Sequence, residues 1–259
     1  MARQKTRKYS VPALDKGLNI LEALSQSRVP LSIIDLATQL GRTRSEIFRM
    51  LDNLEQRAYI MRDPASGAYS LTLRLYELAH THTPVDQLLT AAYRPMYYLS
   101  QAIRESCHLS VLSRDMLVVV AAAESPEPVR LSVEVGYRVS PLLTVSGRLL
   151  VSFLGKAEQQ HFLQSDPVYA AMGGRRRTAL RAEFLLIRER RYHMDESTRR
   201  AGVDCSALVG NPAIGITAAL GVPFIAGGTN AGKEKGLIPL IQQAAGEITT
   251  ALGLTLSTR

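Results

Sequence analysis

The chain has only two cysteines in 259 residues, Cys107 and Cys205, far apart in sequence. That excludes a disulfide framework and the paired spacing of a zinc finger. Both lie in apolar, strand-like runs, which suits buried thiols in a reducing compartment. No apolar run is long enough to span a bilayer. The N-terminus is basic, but the apolar segment of a signal peptide does not follow it. The expectation is a cytoplasmic chain with no membrane contact. Internal repeats and low-complexity tracts are missing as well. Acids are absent from the first ten residues, which carry Arg3, Lys5, Arg7 and Lys8.

Hydrophobic residues make up 46% of the chain, enough for real cores in two domains of ordinary size. The net charge is +8 and the isoelectric point about 9.7, which favours polyanionic partners. A basic arm over residues 1–10 suits phosphate or minor-groove contact, or is simply a solvated terminus.

The most informative stretch runs from Leu31 to Leu71. Ser32 with Asp35 three residues on is an acidic variant of the capping box. Ile33, Leu36, Ala37 and Leu40 follow at helical spacing, and Gly41 stops the helix. Thr43 with Glu46 opens a second helix. Ile47, Met50, Leu51 and Leu54 form its inward stripe. Arg44, Ser45, Phe48, Arg49, Asp52 and Asn53 form its outward one. An apolar back with an Arg/Ser/Asn front is what a major-groove reading helix requires. Two β-like runs, Tyr59–Arg62 and Ala68–Leu71, flank a turn-forming loop from Asp63 to Gly67. Helix, tight turn, helix and hairpin make a winged helix-turn-helix. A scaffold helix from Val11 to Leu24 precedes it, with Leu14, Leu18 and Leu21 inward and Lys16 near solvent.

The predicted division is an arm over 1–10, a winged helix-turn-helix over 11–72, a helical linker over 73–104 and a second domain over 105–259. In the linker, Leu88, Leu89, Ala92, Met96, Leu99 and Ile103 share one face. It either seals a dimer or packs on its own domain. Beyond it, Cys107–Leu112 and Met116–Ala122 read as a hairpin, and Val129–Val135 as a third strand. Helices follow over Val145–Leu154, Glu158–Leu163 and Ala179–Arg191. Cys205–Val209 and Ile214–Phe224 read as strands. Leu237–Leu252 reads as a last helix, with Leu237, Leu240, Ile241, Ala244, Ala245 and Ile248 inward. Without strict βαβ alternation, the fold class is α/β of the α+β kind: a largely antiparallel mixed sheet with helices on it.

These residues resemble the IclR family of bacterial transcriptional regulators over nearly the whole chain. The likeness lies in Ala13-Leu14-Asp15-Lys16-Gly17-Leu18, Gly41 and Arg49-Met50-Leu51, continuing to the wing. It resumes at Arg130 to Gly136, Thr144-Val145-Ser146-Gly147-Arg148 and Gly202-Val203-Asp204-Cys205-Ser206. The resemblance implies homodimers or homotetramers on palindromic double-stranded DNA operators. It also implies a GAF/PAS-like C-terminal domain that senses a small organic or aromatic acid. Carried over position by position, the effector site falls on Thr144, Val145, Ser146, Gly147, Asp195 (or Glu196), Val203, Cys205, Gly221 and Pro223. Amides at a helix N-terminus suit a carboxylate. Where relatives often carry serines on the late strand, this chain has Gly221 and Pro223. Two lost hydroxyls point to a larger or more apolar ligand, such as an aromatic carboxylate.

DNA recognition is assigned to Arg42, Thr43, Arg44, Ser45, Phe48 and Arg49, with Arg62 on the wing and Lys16 in support. Phe48 either meets a thymine methyl or completes the wing packing. Other features resolve into ordinary roles. Gly227 to Lys233 has phosphate-loop spacing, but Glu234 stands where a magnesium-holding hydroxyl is required. His80, His82, His108, His161 and His193 form no zinc-like constellation. Arg175-Arg176-Arg177 reads as a solvated loop. Cys205 beside Asp204 reads as a pocket-lining thiol. The chain is expected to be no enzyme and to need no cofactor. The competing classes are an enzyme, or a protein–protein adaptor, carrying a winged helix.

Overall fold

The computed structural model describes residues 11–80, 83–196, 203–212, 215–224 and 233–254. The arm residues Arg3, Lys5, Arg7 and Lys8, together with His82, Gly202 and the loop from Gly227 to Gly232, lie outside them. The chain divides into two compact units, residues 1–83 and 84–259.

The first unit opens with α1 (Pro12–Gln26), where Pro12 occupies the first turn, a place that needs no backbone donor. Then come α2 (Ile33–Leu40), α3 (Arg44–Gln56), β1 (Ile60–Arg62), β2 (Tyr69–Leu71) and α4 (Arg74–His80). Both predicted capping boxes form. Ser32 accepts from the Asp35 amide and Thr43 from the Glu46 amide, while each carboxylate accepts from its cap residue's amide. Gly41 ends α2 at φ 60°, a left-handed conformation that glycine adopts without strain. A single core of Ile20, Ala23, Leu24, Leu36, Ala37, Ile47, Leu51, Ile60 and Tyr69 joins α1, α2, α3 and the hairpin. One expectation is corrected here: Leu14 and Leu18 are exposed, and Ile20, Ala23 and Leu24 face inward. α1 is apolar around much of its circumference, so periodicity alone could not select the face that meets α3.

The hairpin pairs Ile60 with Leu71 and Arg62 with Tyr69. Its loop is shaped by Asp63, whose Oδ1 accepts from the Ala65 and Ser66 amides at 2.7 and 2.8 Å. Those amides hold its carboxyl below the usual range. This is an Asx-type turn built as the sequence implied.

The second unit contains α5 (Thr83–Ile103), β3 (Cys107–Ser113), β4 (Met116–Ala123), β5 (Arg138–Val139), a 3-10 turn (Pro141–Leu143) and α6 (Val145–Phe153). It continues with α7 (Lys156–Ser165), α8 (Pro167–Ala170), α9 (Gly174–Arg190), β6 (Tyr192–Glu196), β7 (Val203–Gly210), β8 (Thr217–Phe224) and α10 (Lys233–Ala251). Six strands form one sheet in the order β5-β4-β3-β8-β7-β6, with every pairing antiparallel. One face is buried with α5 and α10, through Leu88, Met96, Leu220, Ile241 and Ile248 among others. The other is buried with α6 to α9, through Leu149, Phe162, Phe184 and Ile187. Layering helices on both faces of the sheet follows from strands that are apolar on both sides.

Four sequence expectations are corrected. Val129–Val135 forms no strand; Val129 and Val135 are exposed, Leu131 and Val133 are half-buried, and the paired strand is the short β5. The segment keeps an alternating pattern but uses its inward residues on a cavity instead of a ladder. β6 was not anticipated, because Tyr192-His193-Met194-Asp195-Glu196 carries too many polar residues to read as a strand. Arg175, Arg176 and Arg177 lie in the first turns of α9 and not in a loop. Arg177 donates to the carbonyls of Tyr169 and Ala170, closing the end of α8. Leu240 is 40% exposed, off the buried stripe of α10.

Candidate functional site

In the first unit, α3 presents Arg44, Ser45, Phe48, Arg49, Asp52 and Asn53 to solvent, while Ile47 and Leu51 are buried behind them. Phe48 is 54% exposed. The box at the start of the helix is also its electrostatic junction. The Glu46 carboxylate accepts from the Thr43 amide at 2.9 Å and from its hydroxyl at 3.0 Å. It pairs with Lys16 at 3.3 Å and Arg42 at 3.8 Å. The Thr43 amide and hydroxyl, with Lys16 behind them, hold Glu46 down to about 2. Lys16 is therefore not a solvent-side residue; it ties α1 to the N-terminus of α3. Thr43 is engaged as the cap, and Arg44 and Arg49 stand forward of this cluster. On the wing, Arg62 donates to the Gly67 carbonyl at 3.3 Å and lies over the Tyr69 ring at 5.7 Å. That contact displays its guanidinium at the hairpin.

In the second unit, a cavity of about 80 Å³ lies on the α6 face of the sheet. Its wall is largely apolar: Leu117, Val119, Leu131, Val133, Val139, Leu143, Val145 and Pro223. The polar lining is His108, Tyr137, Thr144, Ser146 and Asp204. Thr144 caps α6 by accepting from the Gly147 amide at 3.0 Å. The positive end of the α6 dipole is thereby fixed at the cavity wall. Ser146 Oγ lies 2.7 Å from Ser206 Oγ and 3.5 Å from His108 Nε2. Burial pushes His108 down to about 4, so its ring is neutral near pH 7. Among the described residues, His108 Nδ1 and Ser110 Oγ are buried without a hydrogen-bond partner.

Of the nine effector positions, Thr144, Val145, Ser146 and Pro223 line this cavity. Gly147 is buried beside it, where a Cβ would come within 2.2 Å of the Pro141 carbonyl oxygen, so its role is close packing. Gly221 lies on the cavity side, behind His108 and Ser146. Val203 and Cys205 are corrected: they face the opposite side of the sheet, in the core with α5 and α10. A strand alternates its side chains, so the positions on the cavity side are Asp204 and Ser206. Burial pushes the Cys205 thiol up to about 12, and Cys107 likewise, as inert core thiols. Asp195 is corrected too. It lies on edge strand β6, with Oδ2 accepting from Arg148 at 2.6 Å. Arg148 also meets Glu183 at 3.0 Å, and Glu183 meets His193 at 2.8 Å. Glu183, His193 and Asp195 are close enough to share a cation, but the Arg148 guanidinium already supplies the positive charge among them.

Sequence reasoning missed His108, Ser206, Asp204 and Tyr137. A signal was available for the first: His108 and Ser110 alternate with Cys107, Leu109 and Val111, so the polar side of β3 was readable once the strand was found. The hydroxyls absent from β8 are supplied by Ser146 and Ser206, and the volume beside Gly221 is filled by the His108 ring.

Comparison with known proteins gives the family of both units. The IclR helix-turn-helix domain matches residues 13–64, and the family described as bacterial transcriptional regulator IclR C-terminal matches residues 80–250. The HTH-type transcriptional regulator KdgR of Escherichia coli is 27% identical over 204 residues, covering 77% of this chain and 76% of that protein. XynR of the same organism is 24% identical over 250 residues, covering 94% and 98%. Among solved structures, an IclR homologue of Microbacterium hydrocarbonoxydans complexed with 4-hydroxybenzoate superposes with a TM-score of 0.77 at 19% identity, covering 93% of this chain and 99% of that one. An IclR regulator of Alicyclobacillus acidocaldarius gives 0.74 at 18%, covering 95% and 100%. With a winged helix-turn-helix in its N-terminal unit and a cavity-bearing antiparallel sheet in its C-terminal unit, this chain belongs to the IclR family of DNA-binding bacterial transcriptional regulators and is not an enzyme.

Proposed function

We propose that this regulator controls a catabolic operon in the cytoplasm by binding a palindromic operator as a homo-oligomer, under the control of a small organic or aromatic acid. Arg44, Ser45, Phe48 and Arg49 read the major groove. Arg42 and Thr43 contribute at the start of α3, and Arg62 contacts backbone or minor groove from the wing. Lys16 acts mainly through Glu46. The helical stretch over 73–104 connects the two functional parts. A second copy is favoured by the apolar residues exposed on α1, Leu14 and Leu18, and at the start of α4, Leu73 and Leu75.

The single observation that carries ligand control is the apolar cavity closed at one end by the N-terminus of α6. Amides and the Ser146 hydroxyl there suit a carboxylate, and the aliphatic wall suits its apolar body. The cavity is smaller than the roughly 150 Å³ needed to hold benzene. A benzoate-sized acid would therefore displace the Leu131–Val133 segment outward. A ligand that binds one arrangement better shifts the population of DNA-binding states. The support from relatives is the 4-hydroxybenzoate found in the Microbacterium homologue.

The test is a gel shift on DNA upstream of its own gene at two salt concentrations, with and without benzoate and 4-hydroxybenzoate. Specific binding with a steep salt slope is expected. Arg44→Ala and Arg49→Ala should each weaken it by about 1–3 kcal/mol. Unchanged affinity in both variants removes the assignment of α3. Absence of any acid effect on the shift removes the effector reading.

A further inference from the structure

His108 on β3 and Gly221 on β8 are direct partners in the sheet. A Cβ added at Gly221 would lie 2.6 Å from both Cε1 and Nε2 of His108 and 2.9 Å from Ser146 Oγ. Real Cβ atoms essentially never come so close, so a side chain at 221 requires the buried His108 imidazole to move from this position. The ring thus takes the place that a residue on β8 would otherwise fill. It sits at the buried end of the cavity, beside the Ser146–Ser206 hydroxyl pair. The Nδ1 of His108 and the hydroxyl of Ser110 lie on the same side of β3, buried and without partners. Buried polar groups are nearly always paired, and those that are not mark sites with work beyond packing. The charge pattern narrows the occupant. Among the described residues, the cavity lining carries no lysine or arginine, and Asp204 is its one formally charged member. Against those residues a second carboxylate would meet an acid and an aliphatic wall.

We propose that His108, admitted by Gly221, determines effector specificity: it keeps the buried end of the cavity small and, with Ser146, reads the head of a compact monocarboxylate. This rests on the acid reading above and sharpens it. Dicarboxylates, and acids with a branched or polyhydroxylated head, are rejected. An uncharged analogue of the same shape loses the donors at the α6 N-terminus as its main partner.

Calorimetric titration of the full chain with benzoate, phthalate and benzyl alcohol tests this in wild type, Gly221→Ser, His108→Ala and the double variant. Wild type should bind benzoate at least about tenfold more tightly than either other probe. Gly221→Ser should weaken benzoate at least about tenfold in the wild-type chain but by less than about threefold in the His108→Ala background, since the two changes share one space. His108→Ala introduces no steric clash; with the α6 N-terminus intact, it should reduce the preference for benzoate over benzyl alcohol. The proposal is overturned if Gly221→Ser binds like wild type, if the serine weakens benzoate as much without His108 as with it, or if His108→Ala keeps the full preference. If wild type binds benzyl alcohol better than benzoate, the acid reading and the carboxylate-reading part of the proposal fall. The same four proteins titrated with the alcohol then decide the size-setting part. If no probe binds any of the four, both readings fall.

Discussion

Ile47 and Phe48 are neighbours on α3 with opposite environments, and their truncation should give opposite phenotypes. Ile47 is fully buried against Ile20, Leu24, Leu36, Leu51 and Ile60. Ile47→Ala removes three carbons from that core. At roughly 0.8 kcal/mol for each buried methylene, transfer alone costs about 2.4 kcal/mol. The cavity left behind brings the total to about 2–5 kcal/mol. A domain of this size holds only about 4–12 kcal/mol in all, so the variant should be close to unfolding. Phe48 is 54% exposed, and Phe48→Ala should cost under about 1 kcal/mol. Its effect should fall on operator affinity instead. Because the chain has no tryptophan and two units, the assay is hydrogen exchange of the α3 amides as a function of urea, which isolates the first unit. Equal destabilisation by the two variants, or a loss below about 1 kcal/mol in Ile47→Ala, would refute the assigned faces of α3.

Three further outcomes follow from the same geometry. Gly147→Ala places a Cβ 2.2 Å from the Pro141 carbonyl oxygen, so backbone must move; a loss of about 1–3 kcal/mol or more is expected in thermal melts of the second unit, and a neutral substitution would mean that α6 and the Pro141 turn are not in contact. Glu46 is held at about 2 in the folded chain against 4.5 when free, so the stability it adds is present above 4.5 and is lost as pH falls through about 2; lower protection of the Thr43 and Glu46 amides against exchange, relative to the unfolded chain at the same pH, checks this on acidification, and unchanged protection across that window contradicts it. Burial pushes Cys107 and Cys205 to about 12, so neither should react with iodoacetamide at neutral pH until the chain unfolds; rapid labelling of the native protein would show that the faces of β3 or β7 are misassigned.

The winged helix-turn-helix was legible because its determinants are local. The Ser32/Asp35 and Thr43/Glu46 boxes, the left-handed Gly41 and the Asp63 turn each depend on residues a few positions apart. The face of α3 was legible for the same reason: its apolar stripe is narrow and the rest of the helix is polar. The strands around the cavity were harder. β7 alternates apolar and polar residues only from Val203 to Ser206 and is buried along nearly its whole length, so burial singles out neither face. Val203 and Cys205 were carried over to the cavity from the family resemblance, and a shift of one residue gives it to Asp204 and Ser206. Leu131 and Val133 looked like a strand because they alternate; nothing local says whether a partner strand lies alongside.

The order of helices and strands, their caps and turns, and the guanidinium-bearing front of α3 were set by residues close in sequence, since hydrogen bonds and helical periodicity act over one or two turns. The cavity was decided only by the tertiary structure. His108, Ser146, Ser206 and Gly221 come from four separate elements, and their meeting depends on sheet order and register. Contacts of that range are chosen by how whole surfaces fit together, and no window of neighbouring residues contains them.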